Sequence, residues 1–245
     1  MPKSPEELLT MRFGAATVAQ NLQRGVETGR MIENEDGTRQ LAQIPRHVGK
    51  WITESNTGTL ACQFLMHFLF RNAYAQSAVP YGCRDCYKVK VVPRTVRELV
   101  AAWQIAKRID CPSKWGIDLD NRYSQDVYAG YFYASGLDIA RAIFKIARDA
   151  FDVDPKLGPA VPMKIKRGCS EYEAAVGPSN RYEFPAEMEE LEAYLRSQYR
   201  KREFAVDVYS VLGCWIDTAF RIGDDTYLDF TNGERLHPES VTYDP

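Results

Sequence analysis

The chain has 245 residues, 45% hydrophobic and 26% charged, the proportions of a globular protein large enough for one sizeable domain or a core with flanking elaborations. A formal net charge of −2 excludes nucleic-acid binding through overall basicity and leaves only a local basic patch for that role. The most apolar run, residues 60–70, is too short to span a bilayer, and the start Met1-Pro2-Lys3-Ser4-Pro5 lacks a secretory pattern. A cytoplasmic protein with reduced thiols and no membrane partner is therefore expected.

From Ser4 to about Leu22 the pattern predicts a helix. Ser4 and Glu7 form a capping box, and Leu8, Met11, Ala15, Val18 and Leu22 mark an apolar face. Residues 24–56 read as polar and irregular, and Thr59–Tyr74 as a buried helix. The centre is more regular: a strand at Tyr87–Val92, a helix at Thr95–Ile109, and strands at Trp115–Leu119 and Asp126–Ala134. A helix from Ser135 to Ala150 and a strand at Val161–Arg167 complete it. This order predicts an α+β fold with a ferredoxin-like (βαββαβ) core. A C-terminal helix at Pro185–Tyr199 should follow, then an antiparallel meander of Ala205–Leu212, Ile216–Ile222 and Thr226–Phe230, with turns at Gly223-Asp224 and Asn232-Gly233. The expected organisation is an N-terminal helical extension (1–80), the ferredoxin-like core (81–170) and the helix with its meander (171–245).

Four cysteines suggest a shared site. Cys83 and Cys86 form a Cys-x-x-Cys pair before the first central strand, Cys111 follows the next helix, and Cys169 follows the fourth strand. In a ferredoxin-like unit these points meet at one end of the sheet. Four thiolates there would hold a 4Fe-4S cluster, with a 2Fe-2S cluster or zinc as alternatives. The pair Arg84-Asp85 lacks the Pro and Gly of a zinc knuckle, which favours iron–sulphur. A redox dithiol and cysteines with no joint role stand beside these readings. Cys62 reads as core, and Cys214 as core or a substitute ligand.

Alternation places Lys88 and Lys90 on one face of the first strand and Lys164 and Lys166 on one face of the fourth. Together they predict a basic patch beside the aromatic strand of Tyr128, Tyr131, Phe132 and Tyr133, unless it is an ordinary solvated face. Such a patch suits an anionic small-molecule substrate or, if left open, single-stranded nucleic acid. Acid–base candidates are His47, Tyr81 and Tyr87; His67 reads as a satisfied core histidine, and Asp118 and Asp120 fall at the wrong end. The leading functional expectation is an iron–sulphur enzyme acting on an anionic small substrate, with an electron donor as a possible partner. The alternatives are a nucleic-acid-associated protein with a structural cluster or zinc, and an electron-transfer or partner-binding protein.

Overall fold

A computed structural model describes residues 3–43, 48–54, 61–119, 123–203, 205–239 and 241–243. His47 and Asp120 lie outside them. Helix α1 (Pro5–Thr10) starts with Ser4 Oγ accepting from the Glu7 N–H at 3.2 Å while the Glu7 carboxylate takes the Ser4 N–H at 2.7 Å. The single helix expected to Leu22 is interrupted. Gly14, at φ +66°, turns a short hairpin of β1 (Arg12–Phe13) and β2 (Ala16–Thr17), and α2 (Val18–Glu27) restarts under a Thr17–Gln20 capping box. A positive φ is cheap only for glycine, so the hairpin turns at Gly14; α1 has already ended at Thr10, with Met11 in extended backbone at ψ 140°.

A second hairpin, β3 (Met31–Glu33) and β4 (Arg39–Leu41), precedes strand β5 (Trp51–Glu54). Gln63–Ala73 is a π-helix rather than the expected ordinary helix, ending with the Tyr74 N–H on the Leu69 carbonyl at 2.8 Å. Then follow a 3₁₀ turn at Tyr81–Cys83, β6 (Cys86–Val91), α3 (Val96–Ala106), β7 (Ser113–Ile117), β8 (Tyr128–Ser135), α4 (Leu137–Asp152) and β9 (Met163–Arg167). The chain continues through α5 (Ser170–Val176), α6 (Ala186–Ser197), α7 (Val208–Ile222) and a 3₁₀ turn at Asp225–Phe230.

The main sheet has the strand order β5-β7-β8-β6-β9, antiparallel throughout. Its two faces differ. On one, Val89, Val91, Trp115 and Phe132 are fully buried against Leu99 and Trp103 of α3, Ala147 and Phe151 of α4, and Trp215 of α7. Gly130 is required there, because a Cβ would lie 2.1 Å from the Trp115 ring. The other face carries Lys88, Lys90, Lys114, Tyr131 and Tyr133, in register with Lys164 and Lys166 of β9.

The C-terminal meander does not form. Asp207 caps α7 by accepting from the Tyr209 and Ser210 N–H groups at 3.2 and 3.0 Å, and Val211, Trp215 and Ala219 bury one helical stripe. Gly223, expected in a hairpin turn, is instead the left-handed C-cap of α7 at φ +77°. Ser135 is not the cap of α4; Gly136 is, at φ +141°. No helix among the described residues is long and apolar enough to cross a membrane.

Candidate functional site

Strand β6 contributes Cys86, Lys88 and Lys90 to the polar face, because side chains two apart along a strand point the same way. Lys88 and Lys90 are buried, 7% and 5% exposed. Lys88 stands opposite Tyr133 on β8 and Lys166 on β9; Lys90 stands opposite Tyr131 and Lys164. Strand β7 adds Lys114, paired with Tyr131 on one side and Thr53 of β5 on the other. Cys62, which precedes the π-helix, and His67 within it bring their fields onto Lys114, while Met66 and Phe70 of the same helix pack with Cys83, Cys86, Cys169 and Tyr172.

The lysines on this face are treated unequally. Lys90 Nζ lies 2.6 Å from Asp126, 3.7 Å from Asp118 and 3.1 Å from Ser124 Oγ, so its charge is matched. Lys166 Nζ pairs with Glu173 at 3.1 Å and donates to Ser170 Oγ at 2.8 Å. Lys88 Nζ donates to Cys169 Sγ at 2.8 Å and lies 5.2 Å from the Tyr133 ring centre. Lys164 is exposed. Lys114 is different: its ammonium lies 4.3 Å from the Trp51 ring centre, and it pairs with no carboxylate among the described residues. Burial brings its pKa down to about 8, with the Lys88 charge acting in the same direction and the thiols of Cys62 and Cys169 and the more distant Glu171 carboxylate opposing.

Lys88 runs the other way. Burial alone would lower it, but the surrounding Cys169 thiol and Tyr133 phenol, with Cys86 and Cys62, raise it well above the ordinary lysine range. Burial, with Arg71 and Lys114, pushes His67 down to about 3, so it is neutral across the physiological range. Lys114, Tyr133, Tyr131, Cys62, Cys86 and Cys169 share one trait: each is half-buried and keeps some solvent-accessible surface. Together they make a partly enclosed polar patch on this face of the sheet.

The proposed cluster site is corrected. All six cysteines are free, and among the described residues no group of three or more His, Cys, Asp or Glu side chains could hold a metal ion. The reason lies in what each thiol touches. Cys83 Sγ is 3.3 Å from the Tyr172 hydroxyl, and burial pushes its pKa far up, as does the nearness of Cys169 and Cys86. Cys169 faces an ammonium. Cys86 is pushed up to about 11 by burial. Cys111 sits on the other side of the sheet, in the core beneath α3, with its thiol on the carbonyls of Tyr133 at 3.3 Å and Pro112 at 3.5 Å. Cys83, Cys86 and Cys169 do gather in one cluster, but Cys111 lies across the sheet and no set of three thiols is arranged to hold a metal among the described residues, so the iron–sulphur cluster, its zinc alternative and the metal-dependent enzyme built on them all fall.

The acid–base candidates are also dispersed. The Tyr81 hydroxyl accepts from Arg84, and its N–H donates to Glu192 Oε1 at 2.5 Å. Tyr87 lies on the helix side of β6, next to the apolar core, with the Arg167 guanidinium 5.8 Å from its ring centre. Arg167 itself holds the Arg84 carbonyl at 2.7 Å. The Cys-x-x-Cys segment is fixed by Glu192 of α6, whose carboxylate also accepts from the Gly82 N–H and the Tyr74 hydroxyl, both at 2.9 Å. Glu192, Trp51 and Lys114 are absent from the sites read out of the sequence. Alternation along Ser113–Ile117 was the available signal for Lys114; nothing local announces Glu192. No protein-family model, curated protein or solved structure matches this chain.

Proposed function

We propose that the polar face of the sheet binds a small anionic molecule, with Lys114 as its principal cation and Lys88 and Lys166 around it. One observation carries this reading: Lys114 is half-buried, stacked on Trp51, and has no carboxylate at ion-pair distance among the described residues, Glu171 acting on it only from further off. A buried charge left uncompensated costs stability, and neighbouring Lys90 shows that this fold supplies carboxylates where a cation needs them. An anion entering beside Lys114 would complete the missing pair.

The burial of Lys88 and Lys90 supports a small ligand over a nucleic-acid strand, since a phosphate backbone needs cations at the surface. Within the same reading we take the four strands β6–β9 with α3 and α4 as a ferredoxin-like unit extended by β5; the antiparallel order β9-β6-β8-β7 supports this.

The test is a titration with inorganic phosphate and with citrate, followed by thermal unfolding and by calorimetry, on wild type and Lys114→Met. A ligand at about a hundred times its Kd should raise wild-type stability by about 2.7 kcal/mol. The variant should lose that response. Equal responses of the two proteins, or no response from wild type to either anion, would overturn the proposal.

A further inference from the structure

Among the thiols, Cys169 is the one in direct contact with an amine. Lys88 Nζ approaches its Sγ at 2.8 Å, and the backbone around the pair is already fixed, with the Gly168 N–H on the Cys86 carbonyl at 2.9 Å. Lys88 is buried in strand β6, in register with Lys166 of β9. Cys169 is only half-buried and keeps accessible surface. The other thiols are worse placed for this chemistry, and Cys214 packs against the helix-side core, away from this face. Cys83 is sealed against Tyr172, and Cys111 is sealed in the helix-side core. Cys62 and Cys86, like those two, are held in the thiol form by burial, and the thiol is the unreactive form.

We infer that Lys88 and Cys169 form a redox-sensitive covalent link, in which hydrogen peroxide oxidises Cys169 and the Lys88 amine closes a sulphur–nitrogen bond. In the first step the Cys169 sulphur attacks one peroxide oxygen. The O–O bond breaks, a sulphenic acid forms and water leaves. Sulphenic acids condense with a neighbouring nucleophile, a thiol or a nitrogen. Here the nucleophile at bonding approach is Nζ. Turning Cys169 into a sulphenic acid removes the partner that does most to hold Lys88 protonated; the ammonium releases one proton to solvent, the freed Nζ lone pair attacks sulphur, the S–O bond breaks, and the hydroxyl leaves as a second water with a further proton from the amine. The sum is thiol plus amine plus peroxide giving one S–N bond and two waters: sulphur loses two electrons and peroxide gains two. The link joins β6 to the segment just after β9, strands that are already paired, so no backbone movement is needed. It also removes the Lys88 charge from the polar face. It does not depend on whether an anion binds there.

The experiment is mass spectrometry of the intact folded protein treated with hydrogen peroxide and digested with trypsin without reductant. The expected product joins peptide 85–90 to peptide 168–181, two hydrogens lighter than their sum, with no cleavage after Lys88 because its amine is blocked. Dithiothreitol should release it. Cys86→Ser should still form the link, whereas Lys88→Arg should not and should leave a Cys169 sulphenic acid that dimedone labels. Cleavage after Lys88 within the linked product would mean a disulphide through Cys86 and would overturn the inference, as would a link from Cys169 to the Cys62 peptide. Oxidation elsewhere with Cys169 untouched would do the same. If Lys88→Arg does not fold, the cleavage pattern of the wild-type digest decides the question alone.

Discussion

The two faces of the five-stranded sheet are built from the same strands and follow opposite rules. In β6 the residues Val89 and Val91 are sealed under α3 and α4, while Lys88 and Lys90, one position away, are nearly as buried on the other side. The helix side gains from every apolar atom it removes from water, at roughly 25 cal/mol per Å². The lysine side gives some of that back by enclosing ammonium groups. Within the lysine side the contrast sharpens, because Lys90 has two carboxylates and Lys114 has an aromatic ring. The lesson is that one face makes the fold and the other is organised around charge that folding alone does not require.

The largest break of this contrast is on the helix side. Trp115 is fully buried, stacks edge-on against Phe132 and donates its indole N–H to Ser113 Oγ at 3.0 Å. Trp115→Ala should cost about 3–5 kcal/mol in denaturant unfolding. A loss under about 1 kcal/mol would show that this face is not the principal core.

Lys114→Met should act in the opposite direction. Methionine keeps the apolar stem over Trp51 and removes the enclosed charge. The folded pKa of about 8 lies below the ordinary value of 10.5, so the folded state binds fewer protons than the unfolded chain between those pH values. Wild-type stability should therefore rise with pH across that window from this group, and the charge penalty is fully present below pH 8. The variant should be more stable than wild type at pH 7 by on the order of 2–3 kcal/mol, with the gap closing above about pH 10. The groups facing Lys114 are Cys62, Lys88, Cys169, Glu171 and His67, and measuring the difference between the two proteins removes their common contributions. A gap that does not change with pH would mean the lysine is not held near pH 8.

Local pattern carried the lysine face and the strands beneath it well. Lys-Val-Lys-Val in β6 and Met-Lys-Ile-Lys in β9 leave no doubt about which residues share a side, and both segments lie within a residue or two of where alternation put them. The thiol site failed on a distinction alternation could have drawn. Cys111 has the same parity as Ser113, Trp115 and Ile117, which places it on the helix side, but topology was used to choose an end of the sheet and never a face. The C-terminal segment was misread because Val206, Val208 and Val211 look like a strand. Asp207 as cap, and a spacing of four through Val211, Trp215 and Ala219, outweigh that propensity. Lys114's lack of a close carboxylate was not legible at all, since the groups around it come from β5, from the turn before the π-helix, from that helix and from the segment after β9.

Glu192 gives a smaller and more local test of how the thiol-bearing turn is held. One carboxylate oxygen accepts from the Tyr74 hydroxyl and the Tyr81 N–H, and the other accepts from the Gly82 N–H, across 110 residues of sequence. Glu192→Gln turns one acceptor into a donor that faces a donor. The expected cost is about 2 kcal/mol, the desolvation of one buried unpaired group. Proton exchange at the Tyr81 and Gly82 amides should accelerate before global unfolding does. Unchanged exchange at both would mean the turn is held by its own 3₁₀ geometry rather than by α6.

Lys164 should have the smallest effect, and it separates the edge of the polar face from its interior. It lies on β9, the edge strand that pairs only with β6, and it is exposed while its register partner Lys90 is buried and paired. Lys164→Val changes one solvated side chain and favours strand geometry, so unfolding should shift by less than about 0.5 kcal/mol. Its consequence should appear in association. A lysine on an exposed edge discourages a second strand from pairing there, and a valine invites it. Concentration-dependent self-association of Lys164→Val in light scattering, at unchanged monomer stability, would place Lys164's role at the edge. An equally monomeric variant that has lost phosphate or citrate binding would instead make Lys164 part of the proposed anion site, joined to Lys114 across the sheet.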